Sequence, residues 1–354
     1  MINCKDFYEI LKNHEIEFFA GVPDSLLKDF CAYITDNIPS EKNIITANEG
    51  GAVALASGYH LATKKIGLVY MQNSGQGNAA NPLISLADPD VYSLPILLVI
   101  GWRGEPDKKD EPQHVKQGKI TLNFLETLGI PYEILPDTIE EAKQSIEKAS
   151  KLMKENSSPY ALVIKKETFE PYELQNKTKT DFELNRECAL KLVVDNLQSN
   201  SIIVSTTGKT SRELFEYRKE LNQDHEKDFL TVGSMGHSSQ IALGIALSKP
   251  DRNIYCFDGD GALIMHMGSL AITGQKSPKN FKHIIFNNGS HDSVGGQPTA
   301  AFNINISQIA KACGYKESFQ AETVVDIKEK IQLLESCEGP ALLEIKVNKV
   351  QGKI

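Results

Sequence analysis

The sequence predicts an α/β protein built from two duplicated, doubly wound parallel-sheet domains, and three observations support this fold class. Short apolar runs alternate with helix-length segments, and turns rich in Gly, Asn and Asp follow the runs, as in βαβ units. The second half also repeats the first, because the runs that contain Ile66 and Ile96 precede those that contain Ile254 and Ile284 by the same 188 positions. With 354 residues, the chain is long enough for two domains that each have a core of their own.

Composition and charge argue against several classes of protein. Charged residues at 24% and hydrophobic residues at 41% are ordinary for a globular protein, and a net charge of -8 argues against nucleic acid as the main partner. There is no apolar run that could span a bilayer and no signal peptide in the charged opening residues, so we expect no membrane partner and a cytoplasmic location. The six cysteines form no C-x-x-C pair, which favours reduced thiols over disulfides or zinc.

Two predicted strands of the first half lead to acidic residues. A strand over 17–20 is followed by a turn and a helix over 25–35, which either Asp24 or Ser25 would cap; contact with a substrate is the alternative. A second strand, over 44–49, ends in Glu49 and precedes a helix rich in small residues. Glu49 would either add a favourable charge at the start of this helix or contact a ligand.

A third strand, over 66–71, leads into a polar, Gly-punctuated turn, 72–78, that contains Asn73. Loops at the carboxyl edge of a parallel sheet carry ligands more often than loops at the other edge. The rest of the first half predicts helices over 120–128 and 138–154 and strands over 131–136 and 159–164.

The fourth strand, over 94–100, leads into a long polar loop, 102–119. Five basic and four acidic residues nearly balance each other in this loop, which is typical of a solvated segment. Beside an anionic substrate, however, basic side chains would be charge partners, since Arg pairs with two oxygens of a phosphonate or carboxylate at once. The residues expected in that role are Arg103, His114 and Lys116.

In the second half, two strands and their turns predict a site for a divalent cation. The turn Gly259-Asp260-Gly261 follows one apolar run, and Asn287-Asn288 follows the next. Asp260 offers a carboxylate and Asn288 an amide oxygen, and the turn beyond it offers a backbone carbonyl, which are ligands suited to Mg²⁺ or Ca²⁺. Amides at Gly261 and Ala262 would face a phosphate. An unrelated Asp-Gly turn and Asn pair is the alternative.

A further strand, which begins at Ile202, ends in hydroxyl groups and glycine. Thr207 and Gly208 therefore suit a phosphate, but they equally suit an ordinary helix start.

Gly259-Asp260-Gly261 with Asn287-Asn288 resembles the cofactor motif of the thiamine-diphosphate-dependent decarboxylases. This resemblance implies that Asp260, Asn288 and the carbonyl of Ser290 hold Mg²⁺, and that Glu49 hydrogen-bonds the aminopyrimidine and promotes loss of the thiazolium proton. It also implies that Gly233 binds the pyrimidine amino group and that Met235 props the bent cofactor. The full set of expected cofactor contacts is Glu49, Asn73, Thr207, Gly208, Gly233, Ser234, Met235, Gly259, Asp260, Gly261, Ala262 and Asn288.

The resemblance covers the whole chain and divides it into a pyrimidine-binding domain, 1–168, a linker, 169–182, and a diphosphate-binding domain, 183–354. These two domains leave no room in the chain for the middle domain of larger family members. The resemblance also implies at least a homodimer with the active site between subunits.

Three stretches, 21–28, 72–83 and 101–118, are similar to compact members that act on 3-phosphonopyruvate. The implied reaction is its decarboxylation to phosphonoacetaldehyde and CO₂ through a covalent cofactor adduct, in aminoethylphosphonate synthesis. Decarboxylation of sulfopyruvate, carboligation and a non-catalytic assembly role are the alternatives. Catalysis is expected from Glu49 and His114, and substrate contacts from Asp24, Ser25, Arg103, His114, Lys116 and His291.

Overall fold

The computed structural model describes residues 1–177 and 179–349, and in this range the chain forms two compact units. The first unit holds residues 1–177 together with 294–297, and the second holds the described residues of 179–293 and 298–349. Residue 178 of the expected linker and residues 350–354 of the expected second domain lie outside the described residues.

Among the described residues, the first unit contains one parallel sheet of six strands in the order β2-β1-β3-β4-β6-β5. Its strands are β1 (Phe18–Gly21), β2 (Asn43–Ile45), β3 (Gly67–Gln72), β4 (Ile96–Gly101), β5 (Tyr132–Ile134) and β6 (Tyr160–Ile164). Its helices are α1 (Cys4–Asn13), α2 (Lys28–Asn37), α3 (Glu49–Thr63), α4 (Gln76–Pro82), α5 (Pro112–Thr127) and α6 (Ile139–Asn156), with short helical turns at Asn73–Gly75 and Leu83–Ala87.

The described part of the second unit also forms one parallel sheet of six strands, in the order β8-β7-β9-β10-β12-β11. Its strands are β7 (Ile202–Ser205), β8 (Asp228–Leu230), β9 (Ile254–Gly259), β10 (Phe281–Asn287), β11 (Glu317–Ala321) and β12 (Ala341–Lys346). Its helices are α7 (Arg186–Asp195), α8 (Lys209–Glu220), α9 (Ser238–Ser248), α10 (Asp260–Met265), α11 (Ser269–Lys276), α12 (Ile306–Ala312) and α13 (Val324–Ser336), with a helical turn at Ala301–Asn303.

The two sheets have the same strand order, counted from the first strand of each unit, so the predicted duplication and fold class are confirmed. The central strands are almost entirely buried and mostly apolar, as expected when helices cover both faces of a sheet. In β3, for example, Leu68 and Tyr70 belong to one buried cluster, whereas Val69 and Met71 belong to the cluster on the opposite face. The order reverses between the first and third strands, which is where doubly wound sheets bind ligands.

Two predicted boundaries near acidic residues are wrong. Helix α2 begins only at Lys28, and no side chain caps it, so neither Asp24 nor Ser25 is its N-cap. Strand β2 ends at Ile45, and Asn48 caps α3 by accepting a hydrogen bond from the Gly51 N–H at 2.9 Å. Glu49 is therefore the first residue of a helix rather than the last residue of a strand.

Two predicted polar loops also turn out to be partly helical. The turn 72–78 contains the start of α4 at Gln76, and the loop 102–119 contains the start of α5 at Pro112. Proline suits that first turn because it has no N–H, and an N–H there would lack a helical acceptor in any case; its φ angle is also already helical. Consequently His114 and Lys116 lie on a helix.

Part of the expected linker packs on the first unit. The Phe169 ring lies 5.2 Å from the ring of Phe7 and 5.4 Å from that of Phe30. The Asp36 carboxylate accepts hydrogen bonds from the backbone N–H groups of Gln175 and Asn176 at 2.7 and 2.9 Å.

The structure also describes the state of the cysteines and the length of the helices. All six cysteines are free thiols. Within residues 1–177 and 179–349, no helix is both long and apolar enough to cross a membrane.

Candidate active site

In both units, the predicted site residues follow the strands beside the point where the strand order reverses. In the first unit, Asp24 follows β1, Asn73 follows β3 and Arg103 follows β4. In the second unit, Gly208 follows β7 and Asp260 follows β9. Each sheet therefore presents these residues at its carboxyl edge, where ligands bind in this fold class.

Glu49 is held at the start of α3 by two neighbouring groups. The side chain is 5% exposed, and Asn78 Nδ2 donates a hydrogen bond to its Oε2 at 2.7 Å. A Cβ atom placed on Gly75 would lie only 2.4 Å from Glu49 Oε1, so the absence of a side chain at position 75 makes room for this carboxylate. Neither Asn78 nor Gly75 was predicted as a site residue, although both lie in the polar turn 72–78.

Asn73 is buried, and its amide nitrogen is committed to the protein. Its Nδ2 donates to the backbone oxygen of Arg103 at 2.8 Å and to Thr121 Oγ1 at 2.9 Å. Its Oδ1 is buried and has no hydrogen-bond partner among the described residues. The side chain therefore ties the loop after β4 to the turn after β3 and keeps one acceptor for a ligand.

Arg103 links Ser25 with a residue that the sequence analysis missed, Asp110. Its Nη1 donates to Ser25 Oγ at 2.7 Å, and its Nε donates to Asp110 Oδ2 at 2.9 Å, while Nη2 pairs with Asp110 Oδ1. The guanidinium lowers the pKa of the Asp110 carboxyl well below its usual range. The near balance of charges in this loop was the only sequence signal for such a pair.

Asp24 is fully buried beside this arginine. Its Oδ2 accepts a hydrogen bond from the Leu26 N–H at 2.8 Å, whereas its Oδ1 has no partner in the part of the chain that the structure describes. Burial raises the pKa of the Asp24 carboxyl to about 6, although hydrogen bonds from the backbone and the charge of Arg103 act in the opposite direction. Asp24 is therefore a group that can exchange a proton near neutral pH.

His114 lies near the Arg103 loop, but Lys116 does not join this cluster. A Cβ atom on Gly104, whose φ of +69° favours glycine, would lie 2.0 Å from the backbone oxygen of His114. Burial, and then the charge of Arg103, lowers the pKa of the His114 imidazole, and its Nδ1 is buried without a hydrogen-bond partner within residues 1–177 and 179–349. Lys116 is exposed, and among the described residues no hydrogen bond or ion pair joins it to Asp24 or Arg103.

The second unit brings the three predicted metal ligands together. Asp260 is 2% exposed at the start of α10, and Thr299 Oγ1 donates a hydrogen bond to its Oδ2. Burial raises the pKa of the Asp260 carboxyl to about 6, although Thr299 and the backbone of Asn288 stabilise the charged form. Asn288 Oδ1 accepts from the Ser290 N–H at 3.0 Å, and Ser290 Oγ is buried without a partner.

Met235 and His291 both lie over Gly261. A Cβ atom on Gly261 would be 3.0 Å from His291 Cε1 and 3.4 Å from Met235 Cε. Ser234 and Gly236 have left-handed φ angles of 58° and 84°, so the chain turns sharply on both sides of Met235. Burial lowers the pKa of the His291 imidazole to about 4. The structure thus groups His291 with the expected cofactor contacts.

The other expected contacts lie in the loop between β8 and α9, at the end of β9, in α10 and at the start of α8. A Cβ atom on Gly236 would lie 3.0 Å from the backbone oxygen of Ala262, so the loop that contains Gly233 runs along α10. Gly208 precedes α8 with φ +94° and ψ −140°, a conformation open to glycine, and Thr207 comes directly before it.

These residues fit thiamine diphosphate and a divalent cation. The three predicted metal ligands offer only oxygen atoms, which suits Mg²⁺. In the first unit, the carboxylate of Glu49 and the unpartnered Oδ1 of Asn73 are acceptors that the protein leaves available for a polar cofactor. Small residues at Gly75 and Gly261 leave space beside the proposed contacts.

Two family profiles match the chain. Residues 4–125 match the profile described as "Thiamine pyrophosphate enzyme, N-terminal TPP binding domain". Residues 206–345 match "Thiamine pyrophosphate enzyme, C-terminal TPP binding domain". Each match falls on one of the two sheets, which agrees with the duplicated fold.

Three relatives align over most of the chain. The phosphonopyruvate decarboxylases of Streptomyces viridochromogenes and Streptomyces hygroscopicus are each 30% identical over 98% of this chain, which covers 89% and 88% of their lengths. The sulfopyruvate decarboxylase of Methanosarcina acetivorans is 30% identical over 88% of this chain and 82% of its own. Together with the two profile matches, these similarities show that the chain belongs to the thiamine pyrophosphate enzyme family, as one of its thiamine-diphosphate-dependent decarboxylases.

Proposed function

We propose that the substrate is 3-phosphonopyruvate, which the enzyme converts to phosphonoacetaldehyde and CO₂ in the synthesis of aminoethylphosphonate or a related phosphonate. The observation that carries this proposal is the position of Arg103, a part-buried guanidinium at the carboxyl edge of the first sheet beside Asp24 and Ser25. The similarity to phosphonopyruvate decarboxylases over 98% of the chain supports it. Sulfopyruvate is the second candidate, because a relative that acts on it is equally identical.

Arg103 can bind the phosphonate while it keeps its present partners. A guanidinium has five N–H bonds. Two of them are used by Asp110 and one by Ser25, so two remain for oxygens of an incoming anion. Asp110 orients the guanidinium. The electrostatic attraction of the guanidinium would be stronger for a doubly charged phosphonate than for a singly charged sulfonate.

Glu49 and the groups near Arg103 would handle protons. When bound, thiamine diphosphate supplies the nucleophilic carbon and the electron sink for loss of CO₂. Glu49 would hydrogen-bond the pyrimidine and help to remove the proton from that carbon. His114, whose lowered pKa keeps its imidazole neutral at neutral pH, and Asp24 are the proposed proton carriers for the product. Lys116 and His291 are proposed as further substrate contacts.

In the second unit, Asp260, Asn288 and the Ser290 carbonyl would hold Mg²⁺ against the diphosphate. Contacts from Thr207, Gly208, Gly233, Ser234, Met235, Gly259, Gly261 and Ala262 would complete the cofactor site.

We further propose that the enzyme is at least a homodimer in which Glu49 of one chain and Asp260 of another serve the same cofactor. Glu49→Gln and Asp260→Ala enzymes would each be inactive. When equal amounts of the two variants are dissociated and reassociated together, half of the dimers contain one chain of each variant. In each mixed dimer one of the two sites has both wild-type residues, so about a quarter of wild-type activity should return. A mixture that stays inactive after verified subunit exchange contradicts this arrangement.

The test of the substrate compares aldehyde release from 3-phosphonopyruvate, sulfopyruvate and pyruvate with Mg²⁺ and thiamine diphosphate present. We expect the largest kcat/KM with 3-phosphonopyruvate. Arg103→Ala should raise KM for this substrate by about tenfold to a hundredfold, since a hydrogen-bonded charge contact contributes about 1.5–3 kcal/mol. Arg252→Ala is the control, because the Arg252 side chain, among the described residues, hydrogen-bonds the backbone oxygen of Asn200 and is not an expected site residue. An unchanged KM in Arg103→Ala, or higher kcat/KM with sulfopyruvate, contradicts the proposal.

A further inference from the structure

A buried ion network lies beside the proposed metal ligands of the second unit. Arg186, the first residue of α7, is 6% exposed and donates to both oxygens of Glu213 on α8, at 2.9 Å from Nε and 2.7 Å from Nη2. Glu213 is 7% exposed. Two parallel hydrogen bonds of this kind fix the plane of the guanidinium as well as its position.

The third nitrogen of the same guanidinium reaches the segment that follows β10. Arg186 Nη1 lies 3.7 Å from Asp292 Oδ2. That same oxygen accepts a hydrogen bond from Asn288 Nδ2 at 2.7 Å. A chain of contacts therefore runs from Glu213 through Arg186 and Asp292 to the side chain of Asn288.

This chain decides which way the Asn288 amide faces. A carboxylate only accepts hydrogen bonds, so the amide nitrogen of Asn288 must be on the side of Asp292. The amide oxygen then faces the other way, where it accepts from the Ser290 N–H at 3.0 Å and retains a second lone pair. A metal ion needs that oxygen, and a flipped amide would present N–H groups to the cation instead.

The charges in this region also call for a divalent cation. Asp260, Asp292 and Glu213 carry three negative charges when ionised, and Arg186 supplies one positive charge against them. Two negative charges remain in a buried region, where uncompensated charge is costly. A divalent ion bound there would offset part of this charge.

We propose that Asp292, held in place by Arg186 and Glu213, is a positioning residue that orients Asn288 for the metal ion. This inference rests on the proposed ligand set of Asp260, Asn288 and Ser290. Partners of this type usually matter for metal affinity because they fix the ligand before the ion arrives.

The test is a titration with Mn²⁺ in the presence of saturating thiamine diphosphate and without substrate. Electron paramagnetic resonance measures how much Mn²⁺ is bound at each step. Asp292→Ala should weaken Mn²⁺ binding by about 10- to 100-fold, the usual loss when such a partner is removed. Asp292→Asn should recover part of this loss, because its amide oxygen can still accept from Asn288. Wild-type affinity in folded Asp292→Ala overturns the inference.

If Asp292→Ala does not fold, a second variant, Arg186→Lys, tests the same positioning role. In Arg186→Lys a single ammonium replaces the planar fork and cannot engage Glu213 and Asp292 with the same geometry, so Mn²⁺ affinity should fall. Unchanged affinity in that variant also overturns the inference. The matched control is Arg218→Lys, which disturbs the similar pair of Arg218 with Asp228 in the same unit. It should lower the melting temperature and leave Mn²⁺ binding unchanged.

The same titration separates this inference from the proposed ligand set. If Asn288→Ala loses Mn²⁺ binding and Asp292→Ala does not, only the positioning role is wrong. If the wild-type enzyme binds no Mn²⁺ with thiamine diphosphate, the ligand set fails and the inference fails with it.

Discussion

Replacing Glu49 with glutamine should separate catalysis from folding, because the structure gives this carboxylate few structural duties. Glu49 is the first residue of α3, 5% exposed, and its described hydrogen bond comes from Asn78 at 2.7 Å. A glutamine has nearly the same shape, and its amide oxygen can still accept from Asn78. What it cannot do is exchange a proton with the cofactor.

The two effects have different expected sizes. Loss of a negative charge in the first helical turn costs about 0.3–1 kcal/mol, and a neutral acceptor for Asn78 costs about 1 kcal/mol more. For a unit of this size, the melting temperature should therefore fall by about 2–8 °C. Loss of the acid-base group should lower turnover by about two orders of magnitude or more, which corresponds to at least about 2.7 kcal/mol in the barrier.

The assay has two parts. Aldehyde release at saturating substrate gives turnover, and ¹H NMR of quenched samples gives the rate at which the reactive carbon of bound thiamine diphosphate exchanges its proton for deuterium. Both rates should fall together. Asp6→Asn is the control, since it removes an exposed first-turn carboxylate of α1 and should leave both rates unchanged. Turnover or proton exchange near the wild-type rate in Glu49→Gln would refute the assigned role.

Two other predictions follow from local geometry. Gly75→Ala should reduce turnover by about tenfold or more, because its new Cβ would lie 2.4 Å from Glu49 Oε1 and would displace this carboxylate, which is costly in catalysis. The fold should stay intact, because φ at Gly75 is −69°, a value that alanine adopts readily. Gly77→Ala, whose Cβ would meet no atom within 4 Å, should be near normal, and equal losses in both variants would contradict the explanation. For Asp24, burial raises the pKa from 3.8 to about 6, so the folded enzyme binds more protons than the unfolded chain between these values and loses stability as pH rises through them. Asp24→Asn should thus gain stability relative to wild type from about pH 4 to pH 6, by on the order of 3 kcal/mol, and keep that gain above pH 6; a pH-independent difference in melting temperature would contradict this.

Much of the fold could be predicted because the signals are local. The strands β3, β4, β9 and β10 each contain a short apolar run followed by a polar turn, which is the pattern that strands covered on both faces usually show. The repeated spacing of these runs then predicts the duplication. Boundaries were less predictable where polarity and helix propensity disagree, as at α5, whose first turns are polar but begin with a proline.

The sequence alone determined that there are two α/β units, and which polar residues follow their central strands, because order along the chain and residue type are enough to predict both. Only the tertiary structure decided how those residues are partnered. Asp110 engages Arg103, and Asp292 joins Asn288 to Arg186, because hydrogen bonds and ion pairs depend on distances in space. Nothing in the chain order distinguishes these carboxylates from the many solvated ones. Burial was likewise decided in three dimensions, and burial is the main cause of the raised pKa values of Asp24 and Asp260.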